Sequence, residues 1–158
     1  MVIESEIRIL EFDEAYAKDF SDLNYQWIAN NYGIKDHDRE ILDDPLEHVI
    51  RPGGQIFFAF VGEDVAGTVA LIPFGDEEFE LAKMAVSPAF RENRIGDRLM
   101  SACINHSKRA GKRKIILESN TKQVAAINLY RKFNFTEMPL DPNSAHVRAN
   151  VRMELVLN

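Results

Sequence analysis

The sequence has one cysteine, Cys103, so no disulfide can form within the chain, which agrees with a reducing compartment. No apolar run approaches the roughly 18 residues that a membrane-spanning helix requires. The opening MVIESEIRIL lacks a basic stretch followed by an apolar core, so neither a secretory leader nor membrane association is expected, and the cytoplasm is the expected location. Positive charge is also scarce: 19 Lys and Arg stand against 25 Asp and Glu, for a net charge of −6. Nucleic acid is therefore not an expected partner, because a broad binding surface needs clustered Lys and Arg.

What is present describes an ordinary globular chain. Its 158 residues, 46% hydrophobic and 28% charged, suit one domain over 1–158 that buries its apolar surface without staples. Ile7 to Leu10 reads as a short strand. From Phe12 the spacing turns helical, with Tyr16, Phe20, Leu23 and Trp27 recurring every three or four residues up to Asn31–Gly33. Tyr16, Phe20, Tyr25, Trp27 and Tyr32 read chiefly as core, with one or two lining the pocket for an acceptor. Asp44-Pro45-Leu46-Glu47 offers an N-cap, a proline at the first helical position and an acid three residues past the cap, which predicts a second helix there. Gln55–Val61 and Val65–Pro73 are β-rich runs joined as a hairpin, and Glu80–Val86 is a further strand. Ile95–Ala110 is an amphipathic helix stopped by Gly111, and Lys114–Glu118 a buried strand. Val124–Phe133 is a helix, and Phe135–Met138 and Val147–Leu157 are closing strands. The predicted order is β-α-α-β-β-β-α-β-α-β-β, an α/β fold.

Asp36-His37-Asp38, with His48 nearby, lacks the paired-ligand spacing of a zinc or two-metal site, so no metal is expected and the segment reads as a polar loop. Basic residues concentrate from Arg91 to Lys114. Within that stretch a strand ending at Val86 runs through a short loop into the helix that begins near Ile95. The first turn of such a helix has backbone N–H groups without intrahelical partners, and the helix dipole adds partial positive charge. A diphosphate fits those donors. Gly96 allows close backbone approach, and Arg91 and Arg94 add fork-shaped cationic donors. The competing reading is a βα connection with exposed arginines. A nicotinamide dinucleotide is disfavoured, because the loop lacks the Gly-x-Gly-x-x-Gly turn.

Val86-Ser87-Pro88-Ala89-Phe90-Arg91-Glu92-Asn93-Arg94-Ile95-Gly96 resembles the acetyl-CoA-binding motif of the GNAT family of N-acetyltransferases, which runs Arg or Gln, two residues, Gly, any residue, then Gly or Ala. Downstream, Leu129-Tyr130-Arg131-Lys132-Phe133-Asn134-Phe135 is similar to that family's second signature, Leu-Tyr-x-Lys-x-Gly-Phe. Two departures stand out. Arg94 and Asn134 occupy positions where the family has glycine, and a side chain at positive φ costs about 1–2 kcal/mol. Asparagine tolerates that region better than most residues.

The resemblance implies one mixed-sheet acyltransferase fold, acetyl-CoA as co-substrate, and an amine acceptor, either a small amine or an amino-acid derivative. It implies cofactor contacts along Met84, Ala85 and Val86 and through Arg91, Glu92, Asn93, Arg94, Ile95, Gly96 and Asp97. Asn120 and Asn128 are candidates for the pantetheine arm, against capping for Asn120 and solvent exposure for Asn128. Arg131 and Lys132 could meet adenosine phosphates or be solvated. Glu80 becomes the candidate base, against an exposed strand carboxylate. Tyr130 becomes the candidate acid for the leaving thiolate, against a tyrosine packing on Ala126 and Phe133. The acids Asp36, Asp38, Glu40 and Asp43 would favour a cationic amine or basic peptide. Alternatives are a protein N-acetyltransferase and a non-catalytic acyl-CoA sensor. Pairing into a homodimer through sheet edges is common for this fold and is not readable from the sequence.

Overall fold

The computed structural model describes residue 3 and residues 6–144 and 148–158. Its strands are β1 (Ile7–Glu11), β2 (Gln55–Val61), β3 (Asp64–Phe74), β4 (Glu78–Val86), β5 (Lys114–Ser119), β6 (Thr136–Met138) and β7 (Val151–Val156). Its helices are α1 (Ala17–Asn31), α2 (Asp36–Asp43), α3 (Ile95–Arg109) and α4 (Val124–Lys132). The order along the chain is the one predicted from the sequence. No helix among the described residues is long and apolar enough to cross a membrane.

The strands form one seven-stranded sheet in the order β1-β2-β3-β4-β5-β7-β6. Every neighbouring pair is antiparallel except β4 and β5. Alternation along a strand sends successive side chains to opposite faces, and β2 shows what that does to an unbroken apolar run. Ile56, Phe58 and Phe60 pack with Phe20, Ile28, Ile41 and Leu42 of α1 and α2 on one face. Phe57 and Ala59 join Ile95, Leu99, Cys103, Ile127 and Tyr130 of α3 and α4 on the other. The sheet is thus covered on both sides, which is why its central strands read as continuous hydrophobic segments.

β4 and β5 pair only over Glu78–Glu80 and Lys114–Ile116. Beyond that point β4 carries a bulge. Thr68 is opposite Ala85 and Ala70 opposite Ala82, so Lys83 and Met84 together face the single residue Val69. Lys83 has φ 55, a left-handed conformation that bends the strand. The two parallel strands therefore part, and a gap opens through the sheet.

The second helix lies earlier than expected. α2 starts at Asp36, where a polar loop was expected, and Leu46–Ile50 is a single π-helical turn. Asp44 does act as a cap there, its Oδ1 accepting from the Glu47 N–H at 3.2 Å. Eight residues with few apolar positions gave α2 too weak a periodicity to read. The last strand also starts late: Val147 lies outside the described residues, and β7 begins at Val151, just after Asn150, whose side chain accepts from the Thr121 N–H at 2.9 Å.

Candidate active site

The gap between β4 and β5 opens into a cavity of about 890 Å³. Both faces of the sheet contribute to it. Asn24, Trp27 and Tyr32 enter from the α1 side, while Ile95, Gly96, Leu129 and Tyr130 enter from the α3 and α4 side. A single space thus connects the two halves of the molecule through the splayed strands.

On the α3 side, the loop before the helix is built from left-handed residues that are not glycine. Glu92 has φ 64 and Arg94 has φ 65, ψ 22, with Asn93 between them. Alternation of this kind turns successive backbone N–H groups into one concavity, an anion-binding nest. The Asn93 side chain donates to Phe90 O at 3.1 Å and Arg91 O at 2.9 Å, which ties the strained turn down. Arg94 serves as the N-cap residue of α3 without a side-chain cap bond, so the helix's first N–H groups face the cavity mouth. Arg91, Glu92 and Arg94 are exposed there, and Gly96 and Asp97 line the same rim. The donor set and the concavity fit a diphosphate. Asn134, the other residue in a glycine position, has φ 72 and ends α4.

α3 can lie this close to the sheet because β3 has Gly67 beneath it. A Cβ at that position would stand 2.8 Å from Ile95 Cγ2 and 3.2 Å from Leu99 Cδ1. A Cβ at Gly96 would stand 3.1 Å from Leu129 Cδ2, so the rim and α4 also approach closely.

Tyr130 is 7% exposed, and burial pushes its phenol up to about 12. Its ring packs 5.9 Å from that of Phe135, and no described residue hydrogen-bonds its hydroxyl. The hydroxyl is therefore protonated at neutral pH. Glu80 is half-buried on β4 and lines the same cavity. It alternates with Phe79 and Leu81, which belong to the α3-side core, so Glu80 faces the α1 side. The sheet separates the two ionisable groups, and the gap reconnects them.

Met84, Ala85 and Val86 line the cavity just past the bulge. Asn120 lines it too, with its amide engaged: Nδ2 donates to Arg148 O at 2.8 Å and Oδ1 accepts from the Lys122 N–H at 2.9 Å. Asn93 holds the loop from behind without lining the cavity, and Asn128 is exposed and does not reach it. The reason for the latter is register, since Ile127 and Tyr130 are the inward positions of α4. Lys132 pairs with Asp97 and Arg131 with Glu137.

Sequence reading missed a buried ionic cluster at the α1-side end. Asp38, 1% exposed, accepts from Lys83 Nζ at 2.6 Å, from the Lys35 N–H at 2.9 Å, and from Arg148 Nη2 at 3.1 and 2.9 Å on its two oxygens. Burial alone would raise its carboxyl, but the hydrogen bonds and the charges of Lys83 and Arg148 outweigh that and hold it near 2. Arg148 also donates to Gly33 O at 3.1 Å and stands 5.0 Å over the Tyr32 ring. Of the acids expected to attract a cationic acceptor, Asp38 alone lines the cavity, and two cations match it. Lysine within the apolar run of β4 was the one available signal. Arg148 gave none.

Among the described residues, no group of three or more His, Cys, Asp or Glu is placed to hold a metal. Cys103 is fully buried on the sheet-facing side of α3, and burial pushes its thiol well up, which makes it inert core.

Comparison with known proteins agrees with this architecture. An acetyltransferase of the GNAT family from Staphylococcus aureus Mu50 superposes with a TM-score of 0.86 at 23% identity, covering 96% of this chain and 99% of that one. The structure of yncA from Salmonella typhimurium, solved with its cofactor acetyl-CoA, superposes at 0.78 with 19% identity over 97% and 95% of the two chains. Among curated sequences, the uncharacterized N-acetyltransferase YvbK of Bacillus subtilis is 23% identical over 68% of this chain and 66% of its own length. N-acetyltransferase 8B of Rattus norvegicus is 27% identical over 66% of this chain and 50% of its own. The matches thus span one half to two thirds of these relatives. The sequence model of the Acetyltransferase (GNAT) family matches residues 10–135, most of the length described above, and the chain belongs to that family.

Proposed function

We propose that the chain is an acetyl-CoA-dependent N-acetyltransferase in which an amine attacks the acetyl group directly, without a covalent enzyme intermediate. The observation that carries this reading is the cavity through the sheet, with Glu80 toward one face, Tyr130 on the other, and the anion nest at its rim. Acetyl-CoA supplies an acetyl group activated as a thioester. The chain supplies the rest.

The nest of Glu92–Arg94, the first N–H groups of α3 and the Arg91 and Arg94 side chains bind the diphosphate. Bulged β4 offers backbone N–H groups around Met84–Val86, set in place before reaction, to the negative charge that grows on the thioester oxygen. Glu80 takes the proton of the attacking amine. That step is needed because an amine with a pKa near about 10 is mostly protonated at neutral pH. As the C–N bond forms and the C–S bond breaks, Tyr130 gives its proton to the departing sulfur, and the second proton shed by the nitrogen as it becomes an amide returns through water to Tyr130. Its buried phenol is held protonated for the purpose.

The test is mass spectrometry of metabolite mixtures incubated with the protein and acetyl-CoA, wild type beside Tyr130→Phe. New masses 42 Da heavier in the wild type, and much reduced in the variant, are the expected result; equal yields would remove Tyr130 from this role. Stabilisation by acetyl-CoA with no product from any amine would leave a binding module in place of an enzyme.

A further inference from the structure

We infer that the acceptor is an amine that also carries a carboxylate, held by Arg148; this rests on the cleft being that of an N-acetyltransferase. At the α1-side end, Asp38 brings one negative charge and meets two positive ones. Lys83 spends its ammonium on Asp38 at 2.6 Å, and its side chain is only 9% exposed. Arg148 is different: 28% of its side chain is exposed, and it lines the cavity. One Nη1 hydrogen goes to Gly33 O and Nη2 goes to Asp38. A guanidinium has five N–H donors. The Nε–H and the second Nη1–H therefore meet no acceptor among the described residues. The Tyr32 ring under the guanidinium and Asp38 behind it fix its plane, as recognition of a planar carboxylate requires.

The rest of this end suits the other half of such an acceptor. Glu80 presents a carboxylate to the ammonium group that must lose a proton. Asn24 is 1% exposed, and its Nδ2 donates to Phe20 O at 3.0 Å. Asn24 lines the cavity, and its Oδ1 has no hydrogen-bond partner among the described residues. Asp36 and Asp43 do not line the cavity: Asp36 is solvated beside Arg39, and Asp43 accepts from the Tyr25 hydroxyl. A cation at one point and a carboxylate at another complement a zwitterion, whereas a polyamine would be repelled by Arg148.

The experiment compares free amino acids with their carboxamides and with the decarboxylated amines, following thiol release from acetyl-CoA. For the best acceptor, wild type should favour the acid over its carboxamide by about tenfold or more in kcat/KM, mainly through KM, as expected when a charged hydrogen bond is lost. Arg148→Gln should bring that ratio close to one, and Arg148→Lys should restore part of it. A role for Arg148 confined to holding Asp38 would slow both acceptors alike and leave the ratio unchanged, which would overturn the inference. Equal or better use of carboxamides or diamines by wild type would also overturn it, while leaving the acetyltransferase reading intact. Retained thermal stabilisation of Arg148→Gln by acetyl-CoA shows that the variant is folded. If wild type acetylates no amine at all, the reading of function itself fails, and this inference fails with it.

Discussion

Asp38 Oδ1 lies 2.6 Å from Lys83 Nζ, and that contact joins the first turn of α2 to the left-handed bulge where β4 leaves β5. The bulge gives the cavity its opening, so the buried pair supports the site as well as the fold. Removing one member leaves the other charge uncompensated, which costs about 3–5 kcal/mol. Asp38→Ala should lose stability on that scale in denaturant unfolding at neutral pH.

The same carboxyl sets a pH dependence. Its folded pKa, near 2, lies below the ordinary value of 3.8, so its stabilisation is complete above about pH 4 and is lost as pH falls from there toward 2. Unfolding curves of Asp38→Asn should show a smaller loss across that window than wild type. Identical slopes would mean that other carboxyls govern acid unfolding.

How much of this was legible in the sequence depends on how local the signal is. β2 declares itself through an unbroken apolar run, and the loop from Val86 to Gly96 through a motif of fixed local spacing. Asp38, Lys83 and Arg148 come from three separate segments, and nothing local distinguishes Arg148 from a solvated arginine. α2 was misplaced for a related reason: its first turn is held by a tertiary ion pair, with Ile41 and Leu42 its only apolar residues.

Arg94 sits at φ 65, so strain and charge can be separated by two substitutions. Arg94→Gly relieves the left-handed penalty and should raise stability by about 1 kcal/mol, while Arg94→Ala keeps the penalty. Both remove the cation. Calorimetric titration with coenzyme A should therefore show similar weakening in the two variants, although only Arg94→Gly raises the melting temperature. Unchanged affinity in both would mean that the guanidinium does not grip the diphosphate.

Tyr130 bears on the alkaline side of the rate profile. Since burial pushes its phenol up to about 12, the group stays protonated through pH 10, and no alkaline loss of kcat should arise from it below that pH. Tyr130→Phe should lower kcat on the order of a hundredfold with little change in KM for acetyl-CoA. A wild-type basic limb near pH 8 that vanishes in the variant would contradict the raised value.

Gly67 and Gly96 stand at two ends of the same packing problem, and alanine at each should fail differently. At Gly67 the added carbon meets Ile95 Cγ2 at 2.8 Å, Leu99 Cδ1 at 3.2 Å and the Ala85 carbonyl oxygen at 3.2 Å, all fully buried, with backbone among them. α3 must move off the sheet, at a cost of about 1–3 kcal/mol by overpacking. At Gly96 the carbon meets only Leu129 Cδ2, at 3.1 Å, the tip of a flexible side chain on the cavity wall. Leu129 can give way, so Gly96→Ala should leave the melting temperature nearly unchanged and instead crowd the rim where the helix N–H groups are proposed to take phosphate. Melting curves with and without coenzyme A distinguish the two: Gly67→Ala lowers the unliganded midpoint, whereas Gly96→Ala lowers only the shift that coenzyme A produces. Equal unliganded midpoints for both variants would mean that α3 is not held against β3 at Gly67, and with it would go the account of how the nest is aimed at the gap.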